Sequence, residues 1–267
     1  MTAAASTRRP AKPRTPWTIW AGVAVFLLLT FWAANPWFGI GFTLIPLFTD
    51  LTRGERIIAE VLQPNWAFLP RTIDPFIETF QIAILATTIG CSIALPVSLL
   101  ASRVTAPNAA TYVSVRTVLN VIRSMPDVLW AMLFVAAAGF GPLAGVMALT
   151  MFNLGITAKL TSESVDSVDT GPIEAADAAG ATRVQTALSA VVPQVLPGYI
   201  AYTLYVFELN VRASLVLGLV GAGGIGRVLQ TELARFRYDN IAVVIILTFI
   251  IVFILDQVSR ALRRRLV

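Results

Sequence analysis

The sequence predicts an all-α membrane protein of about six transmembrane helices, and three observations predict it. Hydrophobic residues fill 57% of the 267 positions and charged residues only 13%, about half the charged share of a soluble domain. Long charge-free runs recur along the chain, and the mean hydropathy is +0.76. Lys and Arg gather at alternate ends of those runs, as membrane topology requires. The net charge of +5 is therefore read as a property of loops facing the cytoplasm rather than as a nucleic-acid surface. Composition also excludes chemistry. With no His and one Cys, Cys91, the chain has no imidazole base, no Cys/His metal cage and no internal disulfide.

The elements follow in order. Residues 1–16 form a basic tail carrying Arg8, Arg9, Lys12 and Arg14, and 17–35 form an anchor helix. This apolar run is longer than the core of a signal peptide, and Trp32 stands where a cut after Ala34 would need a small residue, so the helix is expected to remain uncleaved. Residues 36–73 form an external segment. Within it Ile57, Ile58, Val61 and Leu62 share one face of a helix expected to lie at the interface. The remaining part, 74–267, supplies spans near 75–102, 111–139, 142–160, 196–220 and 240–261. The string GFGP at 139–142 splits a run too long for one helix, and Pro193 and Pro197 place the start of the fifth span near Pro197. Putting both termini in the cytoplasm collects the basic tail, Arg103, Arg183, Arg260, Arg263, Arg264 and Arg265 there.

Between the fourth and fifth spans lies a cytoplasmic loop, 161–192. Gly171-Pro172 starts a short helix with Glu174 in its first turn, where a carboxylate suits the helix dipole. Small residues follow (Ala175, Ala176, Ala178, Ala179), and Gly180 permits a sharp turn. The spacing Glu174-Ala175-Ala176, Gly180, Pro193 resembles the EAA loop of ABC importer permeases, with Ala190 in place of the family's usual large apolar residue. The resemblance implies a coupling helix that docks into a groove of a separate ATP-binding subunit.

The segment YIAYTLYVFELNVRASLVLGLVGAGGIG (199–226) is similar to phosphonate importer permeases, and the likeness extends from about residue 74 to the C-terminus. It implies the methionine-importer-like permease fold, a homodimer, two cytoplasmic ATP-binding subunits and an external solute-binding protein. ATP and Mg would be bound by those subunits, with no cofactor in this chain. Lipid is the surrounding medium, and nucleic acid is not a partner.

Physically, Glu208 and Arg212 are charges inside a span, in the favourable order for an i, i+4 pair. Counting from Pro197 puts Glu208 about 17 Å in, near the bilayer centre. Two readings stand: Glu208, Asn210 and Arg212 line the path of a passing anion, or the pair neutralises itself and locks packing. Gly221, Gly223 and Gly226 match the dinucleotide pattern G-x-G-x-x-G, but that pattern needs a strand and a βαβ unit. The expectation is close backbone approach at Gly221, Gly223, Gly224 and Gly226, where two subunits or a gate meet.

Weaker features are RSMPD (123–127), expected to hinge an amphipathic elbow, and Glu163, Asp166 and Asp169, expected to form a solvated face rather than a metal site. Glu78 and Asp256 lie near span ends, where each can snorkel to the interface or pair with Arg, and neither is assigned a role. No G-x-x-x-x-G-K-[ST] occurs, so this chain is not expected to hold ATP or to be an enzyme itself. The reading is a phosphonate permease. Its alternatives are a permease for phosphate, phosphite or methionine, and, more distantly, a proton-coupled carrier using Glu208.

Overall fold

The computed structural model describes residues 17–43, 45, 49 and 51–264. The basic tail 1–16 and Arg265 lie outside the described residues. All regular structure among those residues is helical: α1 Trp17–Ala34, α2 Leu51–Val61, α3 Pro70–Leu100, α4 Ala109–Ser124, α5 Asp127–Ala138, α6 Pro142–Asp166, α7 Gly171–Ala178, α8 Arg183–Thr186, α9 Val192–Leu219, α10 Ile225–Ala234 and α11 Tyr238–Arg263. A single 3-10 turn at Trp66–Phe68 precedes α3. The chain divides into two units, Met1–Arg56 and Ile57–Val267.

In the first unit α1 is apolar on every side and buries no residue, as a helix in contact with lipid does. Its end is turned by Asn35, whose side-chain oxygen accepts from the Trp37 backbone N–H at 2.8 Å.

The second unit is built on α3 and α6, which pack along most of their lengths. Small residues make this possible, since without water to expel, membrane helices associate through close packing. A Cβ placed on Gly90 would lie 2.6 Å from the Asn153 Cβ of α6. α4 and α5 pack on α6, α9 packs on α3, α6 and α5, α10 packs on α3 and α9, and α11 packs on α9 and α10. One apolar cluster joins Ile82, Ala86, Leu149, Leu217 and Ala222. A second joins Phe68, Phe76, Ile225 and Val244. Four of the helices, α3, α6, the run 183–219 and α11, are long and apolar enough to cross a bilayer, as is α1.

The sixth crossing differs from expectation. The span 111–139 is two helices, α4 and α5, meeting at 88°. Pro126 forces Met125 into an extended conformation (φ −89°, ψ 127°), and the Trp130 indole N–H donates to the Ile122 carbonyl at 3.3 Å across the bend. Helical backbone of the fifth span also starts earlier than Pro197. Pro193 falls in the first turn of α9, where its missing N–H costs nothing. A π turn at Ala187–Val191 joins α9 to α8, so helical backbone runs from 183 to 219.

Candidate functional site

At the end of the unit that carries Arg103 and Arg183, the loop between α6 and α9 folds as a short helix held at both ends. Asp169 accepts from the Gly171 N–H at 3.0 Å, and Pro172 occupies the first turn of α7. The far end closes as a Schellman motif: Ala181 N–H donates to the Ala176 carbonyl and Gly180 N–H to the Asp177 carbonyl, each at 3.0 Å. Gly180 carries the positive φ of +80° that this motif needs. Thr182 then caps α8 in a reciprocal box with Gln185. Two attachments tie α7 to the body. Ile173 packs on the cluster of Val165, Val191 and Val195, and the Thr186 hydroxyl donates to Asp177 at 3.2 Å. Glu174, Ala175, Ala178 and Ala179 stay exposed. The result is a smooth, braced protrusion whose backbone another protein can approach closely. Pro193 lies exposed at the start of α9, and Ala190 is buried inside the π turn.

The glycine string at the opposite end of α9 is packed within the chain. Gly221, Gly223 and Gly224 have φ of +94°, +85° and +71°. A Cβ on Gly226 would come 2.2 Å from the Leu215 carbonyl oxygen, and one on Gly221 would come 2.2 Å from the Phe140 ring. The N–H groups that a nucleotide phosphate would need are engaged: Gly224 N–H donates to Glu78 at 3.1 Å, and Ile225 N–H to the Thr79 hydroxyl at 2.9 Å. The turn thus fastens α9 and α10 to α3 and to the start of α6.

Glu208 is 5% exposed and bonds to two cations. Arg212 contacts one carboxylate oxygen, and Arg263 of α11 lies 3.2 Å from the other. Asn210, two residues and about half a turn along, donates to the Thr87 hydroxyl of α3 at 2.8 Å. Arg263 reaches Glu208 from the last turn of α11, while Thr87, which holds the nearby Asn210, lies in the middle third of α3. Arg212 keeps 46% of its side chain exposed, so one face of its guanidinium remains open.

Two further expectations change. Asp166 is not a solvated acid: it accepts from the Ser102 hydroxyl at 2.6 Å and the Arg103 N–H at 2.8 Å, and Arg116 lies 3.5 Å away. It joins the end of α3, α4 and the end of α6. Glu78, given no role by sequence, holds the glycine turn, with Arg227 3.9 Å away. Asp256 pairs with Arg260 one turn on. The contacts of Arg263, Glu78 and Asp166 were not legible because each acts on a partner remote in sequence. Among the described residues no group of three or more His, Cys, Asp and Glu could hold a metal ion.

Residues 94–267 match the family described as binding-protein-dependent transport system inner membrane component. The phosphite transport system permease protein PtxC of Stutzerimonas stutzeri is 39% identical over 220 residues, 81% of this chain and 80% of that protein. The phosphate-import permease protein PhnE of Mycolicibacterium smegmatis is 36% identical over 248 residues, 92% of this chain. This chain spans only 44% of that second relative's length. Among solved structures, an inward-facing MetNI methionine ABC transporter chain superposes with a TM-score of 0.64 at 26% identity, over 75% of this chain and 96% of that one.

Proposed function

We propose, from the premise that this chain belongs to the family of binding-protein-dependent transport system inner membrane components and is a multi-pass inner-membrane permease subunit of an ABC-type importer, that it conducts phosphonates or a related phosphorus oxyanion. Two copies would form the conduit, with two ATP-binding subunits in the cytoplasm and a solute-binding protein outside. Both termini would face the cytoplasm.

The braced α7, with its exposed Glu174, Ala175 and Ala178, carries this reading. Closure of the ATP-binding subunits would push α7. The Ile173 packing and the Thr186–Asp177 bond would pass the displacement to the rigid run 183–219. Gly180 would keep the turn and Pro193 the start of α9, while Gly221, Gly223, Gly224 and Gly226 would anchor its far end.

Glu208 combines the two roles weighed from sequence. Its carboxylate is occupied by Arg212 and Arg263 and acts as a clasp. The open face of Arg212 offers a passing oxyanion a weak, fork-shaped contact, with Asn210 fixing the register against α3. Weak contact is what a conduit needs, because a tight site would retain its solute.

Phosphite is the second reading, favoured by the 39% identity to a phosphite system permease. ATP hydrolysis by the complex co-purified with this chain in lipid, with its binding protein and either alkylphosphonate, phosphite, phosphate or methionine, separates them. Stimulation by alkylphosphonate supports the proposal, and stimulation by phosphite or phosphate alone corrects the solute. A chain that transports with no ATP-binding subunit would instead be a proton-coupled carrier.

A further inference from the structure

From Thr79 to Leu100, α3 carries no charge over 22 residues, about 33 Å of helix against a hydrocarbon core of about 30 Å. Arg103, three residues further on, therefore stands at headgroup level. Along the last part of α3, Ile89, Ile93, Pro96 and Leu100 form one exposed apolar stripe at helical spacing. The stripe runs into a groove of about 300 Å³ whose opposite wall is Val184 of α8 with Ala187 and Leu188 of the π turn. Val184 and Leu188 are 68% and 60% exposed. Apolar side chains so placed, on a stripe continuous with the lipid-facing side of a span, offer a bed for an acyl chain.

The groove has a basic mouth. Pro107 and Arg183 line it and also line an adjoining cavity of about 410 Å³, together with Arg103, Asn108 and Tyr112. Neutral partners position both guanidiniums. Arg183 donates to the Ala106 and Pro107 carbonyls. Arg103 Nε donates to the Tyr112 hydroxyl at 3.1 Å, and the guanidinium lies over that ring. Among the described residues neither arginine forms an ion pair. The acids at this end are engaged otherwise: Asp166 takes the Arg103 backbone N–H and pairs with Arg116, and Asp177, toward α7, accepts from Thr186. Two arginines are thus held with their charge unbalanced, beside an apolar groove, at the depth where a phospholipid passes from tail to phosphate.

We infer that this end of the chain is a site for an anionic phospholipid, its phosphate on Arg103 and Arg183 and an acyl chain in the groove between α3 and Leu188. Guanidinium forks suit phosphate oxygens, and basic residues at a membrane end attract anionic lipid. A lipid so bound ties α8 to the end of α3 and braces the base of α7. The site does not depend on which solute the chain conducts.

Native mass spectrometry of the delipidated chain, with its co-purifying subunits, tests it with phosphatidylglycerol and phosphatidylcholine of identical acyl chains. Each arginine is worth about fivefold in attraction to anionic lipid, so the wild type is expected to retain phosphatidylglycerol at least tenfold over phosphatidylcholine. Arg103→Gln with Arg183→Gln is expected to abolish that preference, and the corresponding pair of lysine substitutions to keep most of it. Arg235→Gln with Arg237→Gln, at the turn between α10 and α11, should leave it unchanged, and Leu188→Asp should lower retention of both lipids. Equal retention of the two lipids by the wild type, or a preference that survives the paired glutamine substitutions, overturns the site. Displacement of phosphatidylglycerol by an equal concentration of glycerol phosphate also overturns it, because the mouth would then hold phosphate without the groove.

Discussion

Two regions of this chain are rich in small residues and use them in opposite ways. Between Gly218 and Gly226 the missing side chains are replaced by neighbours: the Leu215 carbonyl, the Phe140 ring, Pro142, Glu78 and Thr79 occupy the space where Cβ atoms would stand. Between Gly171 and Gly180 the small residues face outward, and a Cβ on Gly180 would touch nothing within 4 Å. Smallness in the first region serves contacts already made. In the second it leaves a surface free for a contact to come. A composition scan would score the two alike. Packing separates them, and mutation should separate them in the same way.

The largest effect on stability is expected from Gly226→Ala. The new methyl would meet a backbone carbonyl that cannot swing aside; overpacking typically costs about 1–3 kcal/mol and occasionally more, and a clash with backbone puts this one at the top of that range or above it. Thermal unfolding in detergent should drop sharply or the folded peak should vanish on size exclusion; an unchanged profile would break the contrast at its rigid pole. Next comes Glu208→Gln, which leaves Arg212 and Arg263 without their shared anion. Breaking a buried pair costs ~3–5 kcal/mol, and the partial exposure of both arginines puts the loss toward the lower bound. Denaturation of the variant beside Arg263→Gln and the double variant would reveal whether the two residues are coupled, since independent effects would simply add.

Gly180→Ala comes third. Only the positive φ opposes it, at roughly 1–2 kcal/mol. A slightly lowered melting temperature with α7 retained is the expected outcome, and a collapse like that of Gly226→Ala would show that the loop is packed after all. The smallest stability effect belongs to Ala175→Trp, within about 0.5 kcal/mol for an exposed site free of special contacts. Its functional effect should be the greatest of the four, with solute-stimulated ATP hydrolysis reduced at least tenfold.

Much of this architecture was legible in the sequence because its causes are local. Apolar runs bounded by charge revealed the spans, Gly171-Pro172 and Gly180 bounded α7, and Pro126 marked a hinge. The angle of that hinge was not legible, since it depends on Trp130 reaching Ile122 and on what α5 packs against. The polar clasps were hidden for a related reason. Asp166 and Ser102 are 64 residues apart, Glu78 and Gly224 are 146 apart, and Glu208 and Arg263 are 55 apart. Each acid alone reads as an ordinary charge near a helix end.

Site-directed disulfide or bifunctional cross-linking tests the contrast most directly, because the chain has a single cysteine to remove, Cys91, which is buried. In a Cys91→Ala background, one cysteine would be introduced at Ala175 and another, separately, at Ala222, which is 2% exposed. Coupling through α7 predicts a cross-link from position 175 to the co-purified ATP-binding subunit and none from position 222. A co-purified subunit that never links to position 175, at any stage of the ATP cycle, would contradict it.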